Sequence, residues 1–160
     1  RLIEAYNELK KSYDIMLITI GGVPSDPLYR ELIEAGGKNL ERIPHEEIRW
    51  YYSAADVYCL LSTDEVFIHY GGIGTAVIEA LASNVPVVSR HLIHFPGINP
   101  SLLGEIPENR EDVAEKIDRV LNNPDRYRPR ESVKAYYDFE LILKRNIEIY
   151  HSLFREYYSS

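Results

Sequence analysis

Apolar positions along the chain fall into two alternating patterns. Leu2, Ile3, Tyr6 and Leu9 recur at the helical period and predict a first helix. Residues 15–20 (IMLITI) form a nearly continuous apolar run that stops at Gly21-Gly22, which predicts a central parallel strand buried on both faces. Residues 27–35 read as a short helix, capped by Asp26 or Ser25 and ended by Gly36-Gly37. A weaker strand at 39–43 precedes a helix over 44–55, whose polar face carries His45, Glu46, Glu47 and Arg49. Residues 57–61 form the next buried strand, 75–83 a helix, and 85–88 a short strand with Pro86 near its start, where proline is tolerated. Beyond Arg90 the pattern loosens through Pro96, Gly97, Pro100 and Gly104. A strand at 104–107, a helix over about 111–121 and further helix within 124–137 follow. Phe139, Ile142, Leu143, Ile147, Tyr150, Leu153, Phe154 and Tyr157 then mark a long closing amphipathic helix.

Strands alternating with helices through short connections predict βαβ units in one α/β domain, a Rossmann-like, doubly wound parallel sheet. Ligands of such sheets sit beyond the carboxyl ends of the strands. Two glycine groups occupy such ends: Gly21-Gly22, and Gly71, Gly72 and Gly74 ahead of the helix that carries Glu79. Glycine lets a backbone approach a ligand closely. A helix start supplies unpaired N–H groups and a partial positive charge that suit a phosphate. A plain strand-to-helix loop is the competing reading. The dinucleotide fingerprint does not fit, because Val77 stands where its third glycine belongs, and no Walker lysine follows.

Charge and composition narrow the partners. The net charge of −7 argues against nucleic acid or an anionic membrane surface. An anionic ligand would then depend on backbone dipoles, or on positive charge from outside these residues. No apolar run approaches the roughly 20 residues of a membrane span. The single cysteine, Cys59, lies in an apolar run and reads as a buried structural thiol. His91 and His94 form an H-x-x-H without a third ligand, so no metal is expected. The chain opens on Arg1 inside an amphipathic pattern and reads as part of a longer protein.

The stretch Gly72-Ile73-Gly74-Thr75-Ala76-Val77-Ile78-Glu79-Ala80-Leu81-Ala82-Ser83-Asn84-Val85-Pro86-Val87-Val88 resembles the signature of the group 1, family four glycosyltransferases of the GT-B fold, roughly E-G-F-G-L-x-x-x-E-A-M-A-x-G-x-P-V-V. Leu17 through Gly22 resembles that family's strand and glycine turn. Glu46 through Ala55 with Asp56-Val57-Tyr58 resembles its "helix, A-A-D-V, strand" segment. Ser62 resembles the serine closing that strand, and the closing helix with Glu148-Ile149-Tyr150 resembles the family's C-terminal helix. The likeness covers nearly the whole chain.

The resemblance implies the C-terminal half of a GT-B enzyme, a domain that binds a nucleoside-diphosphate sugar. Carried over, Glu79 would hold the ribose hydroxyls. Backbone around Gly71, Gly72, Ile73, Gly74 and Thr75 would meet the diphosphate. The Ile43-Pro44 edge would lie against the base, and Gly21-Gly22 would leave room for the phosphates. The acceptor would belong to the protein's own N-terminal domain. That domain, the first strand and the family's diphosphate-binding arginine and lysine would lie upstream of Arg1. Transfer would retain the anomeric configuration without a metal or other cofactor. These residues alone would be inactive, and the expected location is the cytoplasm, with any membrane association supplied by the other half.

Two departures stand out. The family's first glutamate, which contacts the transferred sugar, falls at Gly71, with Asp64 and Glu65 as acids nearby. Pro96 matches the proline of the family's "G-G-x-P-E", but Gly97 replaces its glutamate and His94 one of its glycines. A non-catalytic nucleotide-sugar-binding or assembly domain is therefore the main rival. A nucleotide-sugar epimerase on the same fold and a bare interaction module are the others.

Overall fold

The computed structural model describes residues 1–61 and 74–158. Helix α1 (Leu2–Leu9) buries Ala5, Tyr6 and Leu9, the inner stripe of its apolar period. Helix α2 (Pro27–Glu34) starts as expected: the Asp26 carboxylate accepts from the Leu28 amide at 2.8 Å, and Pro27 stands in the first turn. Helix α3 (His45–Ala54) follows directly on Pro44.

The strands form two parallel sheets. β1 (Ile18–Ile20) pairs with β2 (Lys38–Leu40), with Ile18 opposite Lys38. β3 (Tyr58–Cys59), β4 (Val87–Val88) and β5 (Gly104–Glu105) make the second sheet in that order, with Tyr58 opposite Val87 and Val87 opposite Gly104. Helices α4 (Thr75–Ala82), α5 (Val113–Asn122), α6 (Pro129–Tyr137) and α7 (Phe139–Tyr158) complete the chain.

β4 shows why this arrangement is doubly wound. Its two valines are fully buried but point to opposite faces, as the strand period of two requires. Val87 joins Val77, Ala80 and Leu81 of α4, Leu92, Leu103 and Val133 of α6. Val88 joins Ala5 and Leu9 of α1 and Val113, Ala114, Ile117 and Val120 of α5. Each valine contributes on the order of 1.5–3 kcal/mol by leaving water. Two helical layers therefore sandwich one short, wholly buried strand.

Between β4 and β5 the chain runs through 3-10 turns at Arg90–His94 and Pro100–Leu102. Ser89, buried at the end of β4, ties this segment to β3: its hydroxyl donates to the Leu60 carbonyl at 2.8 Å and accepts from the His91 amide at 3.1 Å. Glu105, also buried, accepts from the Tyr127 hydroxyl at 2.9 Å and has Lys116, Arg119 and Arg126 within 3.9 Å. The carboxylate is thus compensated, as a buried charge must be.

Two expectations are corrected. The buried strand expected over 57–61 is strand only at Tyr58–Cys59, and half-buried. The run 15–20 was to be a central strand buried on both faces, but only Ile18–Ile20 is strand, and Ile18 and Ile20 are 44% and 41% exposed. β1 is hydrogen-bonded to β2, and among the described residues no strand pairs with its other edge. Ile18 and Ile20 share one face of β1, by the strand period of two, and that face is left partly open among the described residues.

Candidate functional site

Helix α4 starts at Gly74, an extended residue with ψ 134°, and no side chain among the described residues caps it. Its first-turn N–H groups and partial positive charge lie where the sequence reading expects an anion to sit. Gly71, Gly72 and Ile73 of the proposed cradle lie outside the described residues, as do Ser62, Asp64, Glu65 and His69.

Glu79 sits four residues beyond Thr75, about 6 Å along the helix axis. Its carboxylate is bracketed by α3. The His45 imidazole Nε2 donates to Oε1 at 3.2 Å, and the Tyr52 hydroxyl stands 3.3 Å from Oε2 as its donor. The two partners differ in their support. Tyr52 packs edge-on against Tyr58, with ring centroids 5.6 Å apart at 74°, and borders the α4 core cluster. Burial first, then the neighbouring Tyr58 and Glu79, raises the Tyr52 phenol above its ordinary range, so it stays protonated and donating. His45 is held by nothing comparable: its side chain is 82% exposed, against 31% for Glu79.

Ile43 is half-buried and Pro44 exposed, and they immediately precede His45. Ile43-Pro44 thus leads into the helix that touches Glu79. Gly21 and Gly22 close β1. Gly21 N–H donates to Leu40 at 2.8 Å, and Gly22 is clamped by Asn39, whose Oδ1 accepts from Gly22 N–H at 3.2 Å and whose Nδ2 donates to Gly22 O at 2.9 Å. A Cβ on Gly22 would lie 2.5 Å from Asn39 Oδ1, so a larger residue there would push the Asn39 amide off the Gly22 backbone. The Gly22 N–H is thus engaged within the β1–β2 pair.

Cys59 lines the α1–α5 cluster, and burial pushes its thiol up to about 12, so it carries no thiolate chemistry at neutral pH. His91 is buried, His94 exposed, and their rings are 6.3 Å apart. Among the described residues no group of three His, Cys, Asp or Glu is placed to hold a metal. A cavity of about 330 Å³ lies at the amino ends of β3 and β4, lined by Asp56, Asn84, Pro86 and Tyr127. Ligands of parallel sheets bind at the opposite ends, so the chemistry of Glu79 outweighs that cavity.

His45 and Tyr52 were not singled out from the sequence as site residues. Their spacing of seven, two turns on one face of α3, was the available signal. Only the packing of α3 on α4 shows that this face meets Glu79.

The family model described as glycosyl transferases group 1 matches residues 1–136. The chain belongs to the group 1 glycosyltransferases. It aligns over 97% of its length with sucrose-phosphate synthase from Thermosynechococcus elongatus, at 25% identity and TM-score 0.71, and spans 42% of that chain. It also aligns over 86% of its length with the C-terminal domain of the group 1 family protein LpcC from Francisella tularensis, at 25% identity and TM-score 0.66, covering 78% of that chain. The fold of this glycosyltransferase chain is that of the C-terminal domain of GT-B enzymes, with the long closing helix α7 in place. No curated protein matches it significantly. No helix among the described residues is long and apolar enough to cross a membrane.

Proposed function

We propose that this domain binds the nucleoside-diphosphate sugar donor of a glycosyltransferase, with Glu79 accepting hydrogen bonds from the ribose hydroxyls and the start of α4 meeting the diphosphate. The observation that carries the reading is Glu79 itself. It is a partly exposed carboxylate fixed from one side by Tyr52 and standing one turn beyond a helix start that follows a glycine. Family membership supports it. In this reading backbone N–H dipoles, with cations from elsewhere in the protein, stabilise the leaving diphosphate, so that no metal is needed. Transfer proceeds with retention, and the acceptor is held by a facing N-terminal domain, without which these residues do not turn over.

Among the described residues β1 pairs with β2 alone, which supports the related proposal that a further strand of the full-length protein pairs with its other edge. A second reading, a binding domain that has lost transfer activity, is favoured by Gly71 standing where the family's first glutamate belongs. The test is turnover by the full-length protein of UDP-, GDP- and ADP-linked sugars, with the product anomer read by NMR. Release of one nucleotide with a retained anomer supports transfer. Tight binding without turnover of any donor by wild type, gained in a Gly71→Glu variant, supports the second reading.

A further inference from the structure

Two residues of α3 converge on one carboxylate of α4 from different states of support, and that asymmetry has a use. Tyr52 is anchored: its ring borders the core and lies edge-on to Tyr58, and its hydroxyl is 3.3 Å from Oε2 of Glu79. His45 opens the helix, is mostly in solvent, and reaches Oε1 at 3.2 Å. A glutamate has three side-chain torsions, and left alone it spreads over several rotamers. A ligand that needs one of them must bear the entropy of selecting it. Here α3 has already made that selection.

The carboxylate also has capacity left over. An ionised carboxylate offers about four lone-pair positions. Among the described residues Tyr52 and His45 occupy one on each oxygen, which leaves one on each for a ligand arriving on the exposed side. Two acceptors about 2.2 Å apart on one planar group match two vicinal hydroxyls, each donating to one oxygen.

We propose that Tyr52 and His45 are positioning residues that hold the Glu79 carboxylate at the angle which accepts both ribose hydroxyls, and that they thereby set selectivity for ribonucleotides over nucleotides lacking those hydroxyls. The proposal rests on the donor-site reading above. The two residues have unequal shares. Tyr52 carries the larger one, since its ring is already fixed against the core and Tyr58 and little further ordering is needed to hold its hydroxyl on Glu79. His45 contributes less, because an exposed partner is weakly held and screened by water.

The test uses the full-length protein and isothermal titration with UDP, GDP and ADP, each compared with its 2′,3′-dideoxy analogue. The quantity read is the ratio of ribo to dideoxy affinity for whichever base binds. Wild type is expected to favour the ribo form by well over ten-fold, and Glu79→Ala to bring the ratio close to one. Tyr52→Phe, which removes one oxygen and keeps the packed ring, lowers the ratio about ten-fold and leaves dideoxy affinity unchanged. His45→Ala lowers it about two- to three-fold, and His45→Gln, which keeps a donor, restores most of that loss. Equal losses of both affinities in Tyr52→Phe would mean a purely structural role, and an unchanged ratio no role at all; either overturns the proposal while the donor site survives. If no nucleotide binds, or Glu79→Ala keeps the wild-type ratio, the donor-site reading itself falls and takes this one with it.

Discussion

Gly104 opens β5 against the central strand, and replacing it with alanine tests whether the sheet is built as described. A Cβ there would lie 1.9 Å from the Val87 carbonyl oxygen, 2.6 Å from Val87 N and 2.7 Å from Val87 C. Non-bonded atoms prefer separations of about 3.5–4.0 Å, and these neighbours are backbone, which cannot rotate away. Val87 is itself fully buried, and its N–H donates to Leu103 O at 3.0 Å, so β4 has no room to retreat. Gly104 also has φ +154°, a region that side chains disfavour. Overpacking costs about 1–3 kcal/mol and the backbone strain about as much again, together roughly 2–6 kcal/mol. For a chain of this length the unfolding entropy is about 0.34 kcal/mol per degree, so the melting temperature should fall by about 6–18 °C. Thermal unfolding followed by circular dichroism reads this directly. A fall under about 2 °C would refute the close approach of β5 to β4.

Two further perturbations follow from the same geometry. Asp26→Ala removes the cap of α2 and should cost about 1 kcal/mol, or about 3 °C, while Asp26→Ser keeps most of it; equal melting points for wild type and Asp26→Ala would show the cap to be idle. At high pH the sign is set by raised thiol and phenol groups, Cys59 and Tyr127 among them. Burial holds Cys59 at about 12 against an ordinary 9.0, and burial with the bond to Glu105 holds Tyr127 at about 12 against 10.0. A folded value above the unfolded one gives stability that is complete below the unfolded value and lost as pH rises toward the folded one. Stability should therefore be level up to about pH 8.5 and decline toward pH 12, and Cys59→Ala should flatten the early part of that decline. A Cys59→Ala profile parallel to wild type across this range would contradict the burial of the thiol.

The sequence made some parts legible and hid others for physical reasons. Helix α2 was readable at both ends, because Asp26 and Gly36-Gly37 act through local backbone chemistry. The closing helix was readable from its apolar stripe, and the structure leaves that stripe open: Phe139 and Tyr157 are 77% and 76% exposed. The run ending at Ile20 was misjudged, since apolarity reports what a strand can bury and not which neighbours are present to bury it. Glu79 stood out through its place after the glycines. Its partners did not, because His45 and Tyr52 lie 34 and 27 residues away and meet it only when α3 docks on α4. Asn39 was hidden in the same way: nothing local says that an asparagine on β2 will engage the Gly22 backbone.

The central claim is that Glu79 and the start of α4 form a nucleotide-sugar site, and ligand-induced thermal stabilisation of the full-length protein tests it most directly. UDP, GDP, ADP and their common sugar conjugates would be compared on wild type and Glu79→Ala. A ligand at 100 times its dissociation constant adds about 2.7 kcal/mol, enough to raise the melting point by several degrees. The account predicts that one base gives this shift and that Glu79→Ala abolishes it. Contradiction would be no shift with any nucleotide, or a shift that Glu79→Ala leaves intact.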